Sequence, residues 1–128
     1  MQASSVRAVL FVKDLGRAAA FYIGALGMMR VSGDEDHAIL DCGGFELVLH
    51  RIPTQIADAI VITEPPVRRM WAATRLDFPV ASIKDSRKLA RSLGGDIDDA
   101  PPPWADRNTD FFFGYDPEGN QFGVTQRS

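Results

Sequence analysis

The apolar positions change period along the chain, and each change marks an element. Residues 6–12 form a short β-rich run. The stretch LGRAAAFYIGAL then takes helical spacing over residues 15–26, with Asp14 placed to cap it and Gly27 to stop it. Residues 28–32, 37–41 and 45–50 read as three strands, separated by Gly33-Asp34-Glu35 and Gly43-Gly44. Residues 53–59 carry enough helix formers for one or two turns, and Glu64-Pro65-Pro66 breaks the pattern.

The same order then starts again. Residues 74–80 read as a strand, Ser82 caps a helix over 83–93, and Gly94-Gly95 ends it. Pro101-Pro102-Pro103 confines any strand within 96–104 to a short or edge position. Residues 108–115 and 121–126 are the last two strands. Val12, Leu15, Phe21 and Gly27 recur as Val80, Ile83, Leu89 and Gly95 at a constant offset of 68 residues. The pattern predicts an α+β fold of two βαβββ modules, about 5–52 and 73–127, joined by a linker of about 53–72 within a single domain. Two such units make one pseudo-symmetric assembly of cupped mixed sheet, with both helices on the outer face.

Alternation assigns the strand faces. Ala8, Leu10, Val12, Leu47, Leu49, Leu76, Phe78, Phe122 and Val124 share the apolar side that carries the helices. The opposite side is mixed: Arg7, Glu46, His50, Arg75, Asp77, Gln121 and Thr125, with Gly123 at the centre of the last strand. A strand glycine often marks close approach by a ligand or another backbone.

Composition narrows the function. A net charge of −3 gives no reason to expect nucleic acid, and no apolar run is long enough to cross a bilayer. The N-terminus lacks the apolar core of a signal peptide, and Cys42 is the only cysteine, so a cytoplasmic location is the default.

The runs FVKDLGRAAAFYIGALGM, FELVLH and DPEGNQF resemble the vicinal oxygen chelate superfamily, which includes glyoxalase I, extradiol dioxygenases and bleomycin-resistance proteins. The similarity covers nearly the whole chain. It implies paired βαβββ modules forming a cupped sheet, and in metal-using members four ligands, usually His and Glu. The corresponding positions here are Arg7, Glu46, Arg75 and Gly123. Only Glu46 keeps a ligand type, because arginine stays protonated and glycine has no side chain. One carboxylate does not satisfy Zn²⁺ or Fe²⁺. The expectation is therefore a protein without metal or other cofactor.

Three function classes follow. The favoured one is a binding protein that holds a small polar or anionic molecule in the cup, through Arg7, Glu46, His50, Arg75, Asp77, Gln121, Gly123 and Trp104, and assembles as a homodimer. In it, Arg7 and Arg75 form a pair of forked donors, and Trp71 and Trp104 wall the pocket. The second is a lyase, isomerase or dioxygenase-like enzyme using Glu46 and His50 as acid and base, or a metal held by unexpected residues. The third is a structural dimer whose cup is plugged by ion pairs of the two arginines with Glu46 and Asp77. On bland readings, Phe111, Phe112 and Phe113 are mostly core, and Arg68-Arg69 is a solvated linker.

Overall fold

The computed structural model describes residues 6–105 and 110–127. The first module runs β1 (Arg7–Val12), α1 (Leu15–Leu26), β2 (Met29–Gly33), β3 (His37–Asp41) and β4 (Glu46–Arg51). A single turn, α2 (Thr54–Ala57), opens the linker. The second module runs β5 (Leu76–Val80), α3 (Ile83–Ser92), β6 (Asp96–Ile97), β7 (Phe111–Tyr115) and β8 (Gln121–Gln126). Of the strand expected over 108–115, Asn108 and Thr109 lie outside the described residues.

Each module closes one four-stranded mixed sheet, in the orders β1-β4-β3-β2 and β5-β8-β7-β6. In both, the helix carries the chain over the sheet, so the first strand pairs in parallel with the last. Arg7 thereby lies opposite Glu46, and Asp77 opposite Gly123. No strand pairing among the described residues joins β1 to β5. A cavity of about 250 Å³ touches both edges at Ala8, Leu10, Leu76 and Phe78. Pro79 removes one donor from β5, which suits an edge strand.

The repeat is visible in the helix starts. Asp14 accepts from Arg17 N–H and Ser82 Oγ from Asp85 N–H, both at 3.1 Å. At the helix ends it slips by one residue. Gly27 takes φ 71° directly after α1, whereas the left-handed glycine after α3 is Gly94 at φ 94°, not Gly95, with Leu93 between it and the shorter helix. Gly95 serves a close approach instead: a Cβ there would collide with the Phe21 ring and the Tyr115 carbonyl.

The two modules share one core. α1 packs on β3, β4 and α3, while α3 packs on β6 and β8. Phe21 meets Phe122 at 5.9 Å between ring centroids, and Tyr22 meets Phe78 at 6.2 Å. Leu40, Leu47, Leu49, Ile97 and Val124 are fully buried around them. This is the apolar face that alternation assigns to the helices.

A polar clamp completes the junction. Asp116 is fully buried and accepts from the Tyr22 hydroxyl at 2.7 Å. It also accepts from the backbone N–H groups of Glu118 and Asn120 and from the Asn120 amide. Glu118 accepts from the backbone N–H groups of Lys13 and Asp14, each at 2.8 Å. The turn DPEGN thus holds the β1–α1 turn of the other module. No helix of the described residues is long and apolar enough to cross a membrane.

Candidate functional site

On the first sheet, Arg7 Nε donates to Glu46 Oε1 at 2.7 Å across the β1–β4 pair. The arginine remains exposed and Glu46 is half-buried. His50 is exposed at the other end of β4, where its Nδ1 lies 2.9 Å from the Arg51 carbonyl and its ring meets Phe11. Four residues of strand put Glu46 and His50 about 13 Å apart along β4. The two share a face but cannot act on one atom.

The second sheet is richer. Arg75 forks onto Asp77, with Nε to Oδ1 at 2.7 Å and an Nη to Oδ2 at 3.0 Å. That hydrogen bond raises the Arg75 guanidinium above its usual pKa, so it stays charged. The same guanidinium stands over the rings of Phe111 and Phe113, at 5.4 and 4.9 Å. Trp104 packs on both rings, at 5.7 and 6.0 Å. The phenylalanine run is therefore divided. Phe112 turns to the core, where Arg87 covers it, while Phe111 and Phe113 build the site face.

Gly123 lies under this cluster. A Cβ there would run into Asp77 Oδ1 and the Phe111 ring. The position that carries a metal ligand in the resembling family is thus closed by a neighbouring carboxylate and an aromatic edge. The four family positions supply one carboxylate, two guanidiniums and no side chain. Among the described residues, no three His, Cys, Asp or Glu side chains cluster closely enough to hold a metal ion. This donor set does not fit the family's metal. Burial pushes the Cys42 thiol up.

The linker supplies what the strands lack. Arg68 is half-buried and forks onto Asp98 at 2.9 Å twice, while its Nε donates to Gln121 Oε1 at 2.7 Å. It is a strut between linker and sheet, not a solvated residue. Arg69 hydrogen-bonds through its backbone to Gly119 and bridges to Asn120, but its guanidinium has no ion-pair partner among the described residues. A cavity of about 320 Å³ opens beside it, walled by Met70, Trp71, Trp104 and Phe113 and reached by Arg75 and Gln121.

Of the residues expected at the site, Arg75, Gln121 and Trp104 thus line one cavity, and Asp77 and Gly123 support it from β5 and β8. Arg7, Glu46 and His50 stand on the other sheet and do not line it. Pattern reading missed Arg69, because a linker arginine carries no periodic signal. It also missed the Tyr22–Asp116 clamp, although both residues lie in the motifs that carry the family resemblance.

Comparisons with known proteins agree with this architecture. No curated protein matches the chain by sequence. Among solved structures, it is similar to a glyoxalase/bleomycin resistance protein from Albidiferax ferrireducens T118, at 18% identity over 96% of this chain and 98% of that one, with a TM-score of 0.65. It is similar to the genomically encoded fosfomycin resistance protein FosX from Listeria monocytogenes, at 15% identity over 100% and 96%, with a TM-score of 0.67. It also resembles an integron cassette protein from V. cholerae, at 25% identity over 100% and 98%, with a TM-score of 0.63. The model of the glyoxalase-like domain matches residues 7–125, and the chain belongs to that family, within the vicinal oxygen chelate superfamily.

Proposed function

We propose that this glyoxalase-like protein binds a small anionic molecule without a metal, on the open face of its second sheet. One observation carries the reading. Arg69 and Arg75 line the 320 Å³ cavity and no Asp or Glu does; Arg75 is paired with Asp77, while Arg69 has no ion-pair partner among the described residues, in a chain whose net charge is −3. Such local positive charge favours an anion, and a site of this volume with apolar walls suits a small ligand. The resistance proteins among its structural relatives are consistent with a fold used to hold small molecules. The ion pairs of Arg7 with Glu46 and Arg75 with Asp77 form, but both are open to solvent, so neither acts as a buried plug. Acid–base catalysis by Glu46 and His50 together finds no support in their separation.

The test is a thermal-shift titration with sodium salts of small anions, run beside elemental analysis of the purified protein. Stabilisation by anions, with far less than one transition metal per chain, is the expected result. One Zn, Ni, Mn or Fe per chain, lost on Glu46→Ala, overturns it.

A further inference from the structure

The anion site carries more information than its charge, and resting on the reading above, we infer that its ligand is a planar aromatic carboxylate. Its carboxylate is held by Arg69 and its ring lies between Trp71 and Trp104. Three observations lead there.

First, the cavity's uncommitted charged and amide groups are donors, and the Thr74 hydroxyl on its lining can also donate. Arg75 is already engaged by Asp77 on one side and by two aromatic rings on the other. Arg69 has no carboxylate among the described residues. Gln121 gives its carbonyl oxygen to Arg68, which leaves its amide N–H groups to donate. A guanidinium and an amide N–H₂ on two residues that line one cavity call for a group that accepts. A carboxylate matches the flat two-donor edge of a guanidinium.

Second, the walls are unusually bare. Trp71 is 94% exposed and Trp104 is 68% exposed, and both border the cavity. Large indole surfaces left in water mark sites that a partner or a ligand covers, and these two border a cavity. An inorganic anion would satisfy Arg69 but leave both indoles wet. A flat ring covers them and stacks.

Third, the size is right for one small ring system. About 320 Å³ lies at the lower end of ligand pockets. The cavity therefore favours one ring and its acid group over an extended chain.

Trp71 and Trp104 are the only tryptophans in the chain, so intrinsic fluorescence reports on this site alone. The experiment titrates the full chain with benzoate, cyclohexanecarboxylate, benzamide, acetate and inorganic phosphate, and follows tryptophan emission and thermal stability together. Benzoate should give a saturable change, with cyclohexanecarboxylate and benzamide each at least about tenfold weaker. Arg69→Met should weaken benzoate by about ten- to a hundred-fold, the value of a charge-assisted hydrogen bond. Its melting temperature should stay near the parent's, since the Arg69 side chain makes no hydrogen bond among the described residues. Trp104→Leu should lower affinity for benzoate but not for acetate. If acetate or phosphate binds as tightly as benzoate and Arg69→Met abolishes it, the aromatic class is wrong while anion binding stands. If benzamide equals benzoate, the Arg69 anchor is wrong. If no anion of the set changes emission or melting, both the class and the anion-binding reading fall.

Discussion

Replacing Tyr22 by Phe removes one hydroxyl from the junction between the modules, and its cost can be worked from the contacts. The hydroxyl donates to a fully buried carboxylate at 2.7 Å. Hydrogen bonds to charged groups contribute about 1.5–3 kcal/mol. Asp116 keeps two backbone donors and the Asn120 amide after the change, so it is not stranded. The expected loss is therefore about 1.5–3 kcal/mol and no more. Asp116→Ala differs, since it orphans the Tyr22 hydroxyl, two backbone N–H groups and the Asn120 amide together. At about 1–3 kcal/mol for each unsatisfied group, that loss reaches at least about 4 kcal/mol. Urea unfolding followed by circular dichroism measures both. A cycle with Asp116→Asn should show coupling of about 0.5–3 kcal/mol to Tyr22→Phe. A pH arm reads the same hydroxyl by a second route. Burial first, and the Asp116 charge second, hold the Tyr22 phenol well above its ordinary pKa. Above pH about 10 the unfolded chain loses this proton while the folded chain keeps it. Its contribution is thus complete below pH about 10 and falls by about 1.4 kcal/mol per unit as pH rises toward the folded pKa. Tyr22→Phe should lack that part of the alkaline slope. A variant within about 0.5 kcal/mol of the parent, with the same slope above pH 10, would refute the clamp.

The other expectations follow from single contacts. Arg75 and Asp77 are 38% and 43% exposed, so Arg75→Met should cost at most about 1 kcal/mol in urea unfolding, and adding Asp77→Leu should restore little; a loss of about 3–5 kcal/mol rescued by the second change would make the pair a structural plug. Gly123→Ala should cost about 1–3 kcal/mol by overpacking against Asp77 and Phe111, and a neutral result would mean that neither group closes that position. Val9 and Phe11 are 54% and 60% exposed on the face of β1 beside Glu46. We expect a homodimer that covers such surface, so light scattering should return about twice 14.1 kDa, and a monomer mass at micromolar concentration would sink the idea.

Much of the fold was legible because its signals are local. The helix over Leu15–Leu26 and the strands His37–Asp41 and Gln121–Gln126 match the expected bounds. There, cap, periodicity and turn residues all point the same way. The bounds slipped where a long-range contact decides. Thr74 and Arg75 read as strand but precede it, since β5 begins at Leu76, the first residue paired to β8. The second helix stops at Ser92, one residue before the expected Leu93, and Gly95, which the repeat aligns with Gly27, instead leaves room for Phe21 of the other module. The site was less legible for the same reason. Alternation placed Arg75, Asp77, Gln121 and Gly123 on one face, yet it could not say that Arg68 would occupy Gln121 or that Arg69 would lack a partner. Those facts depend on how the linker crosses the sheet, which is a matter of tertiary packing.

The two arginines that look equivalent in the repeat have different surroundings, and the difference lies in register. Arg7 belongs to β1 and faces Glu46 across a strand pair, so its partner is supplied by the ladder. Arg75 precedes β5 and turns along its own segment to Asp77, two residues on. Asp77 in turn lies opposite Gly123, where the missing side chain leaves room for the carboxylate. A larger residue at 123 would displace Asp77 and with it the orientation of Arg75 over Phe111 and Phe113. Loss of a ligand-type side chain at this position thus does more than remove a donor. It lets an ion pair settle on the sheet and fix an aromatic wall beside a cation that has no partner among the described residues. On the proposed reading, this arrangement replaces coordination by a metal with charge and shape as the means of holding an anion.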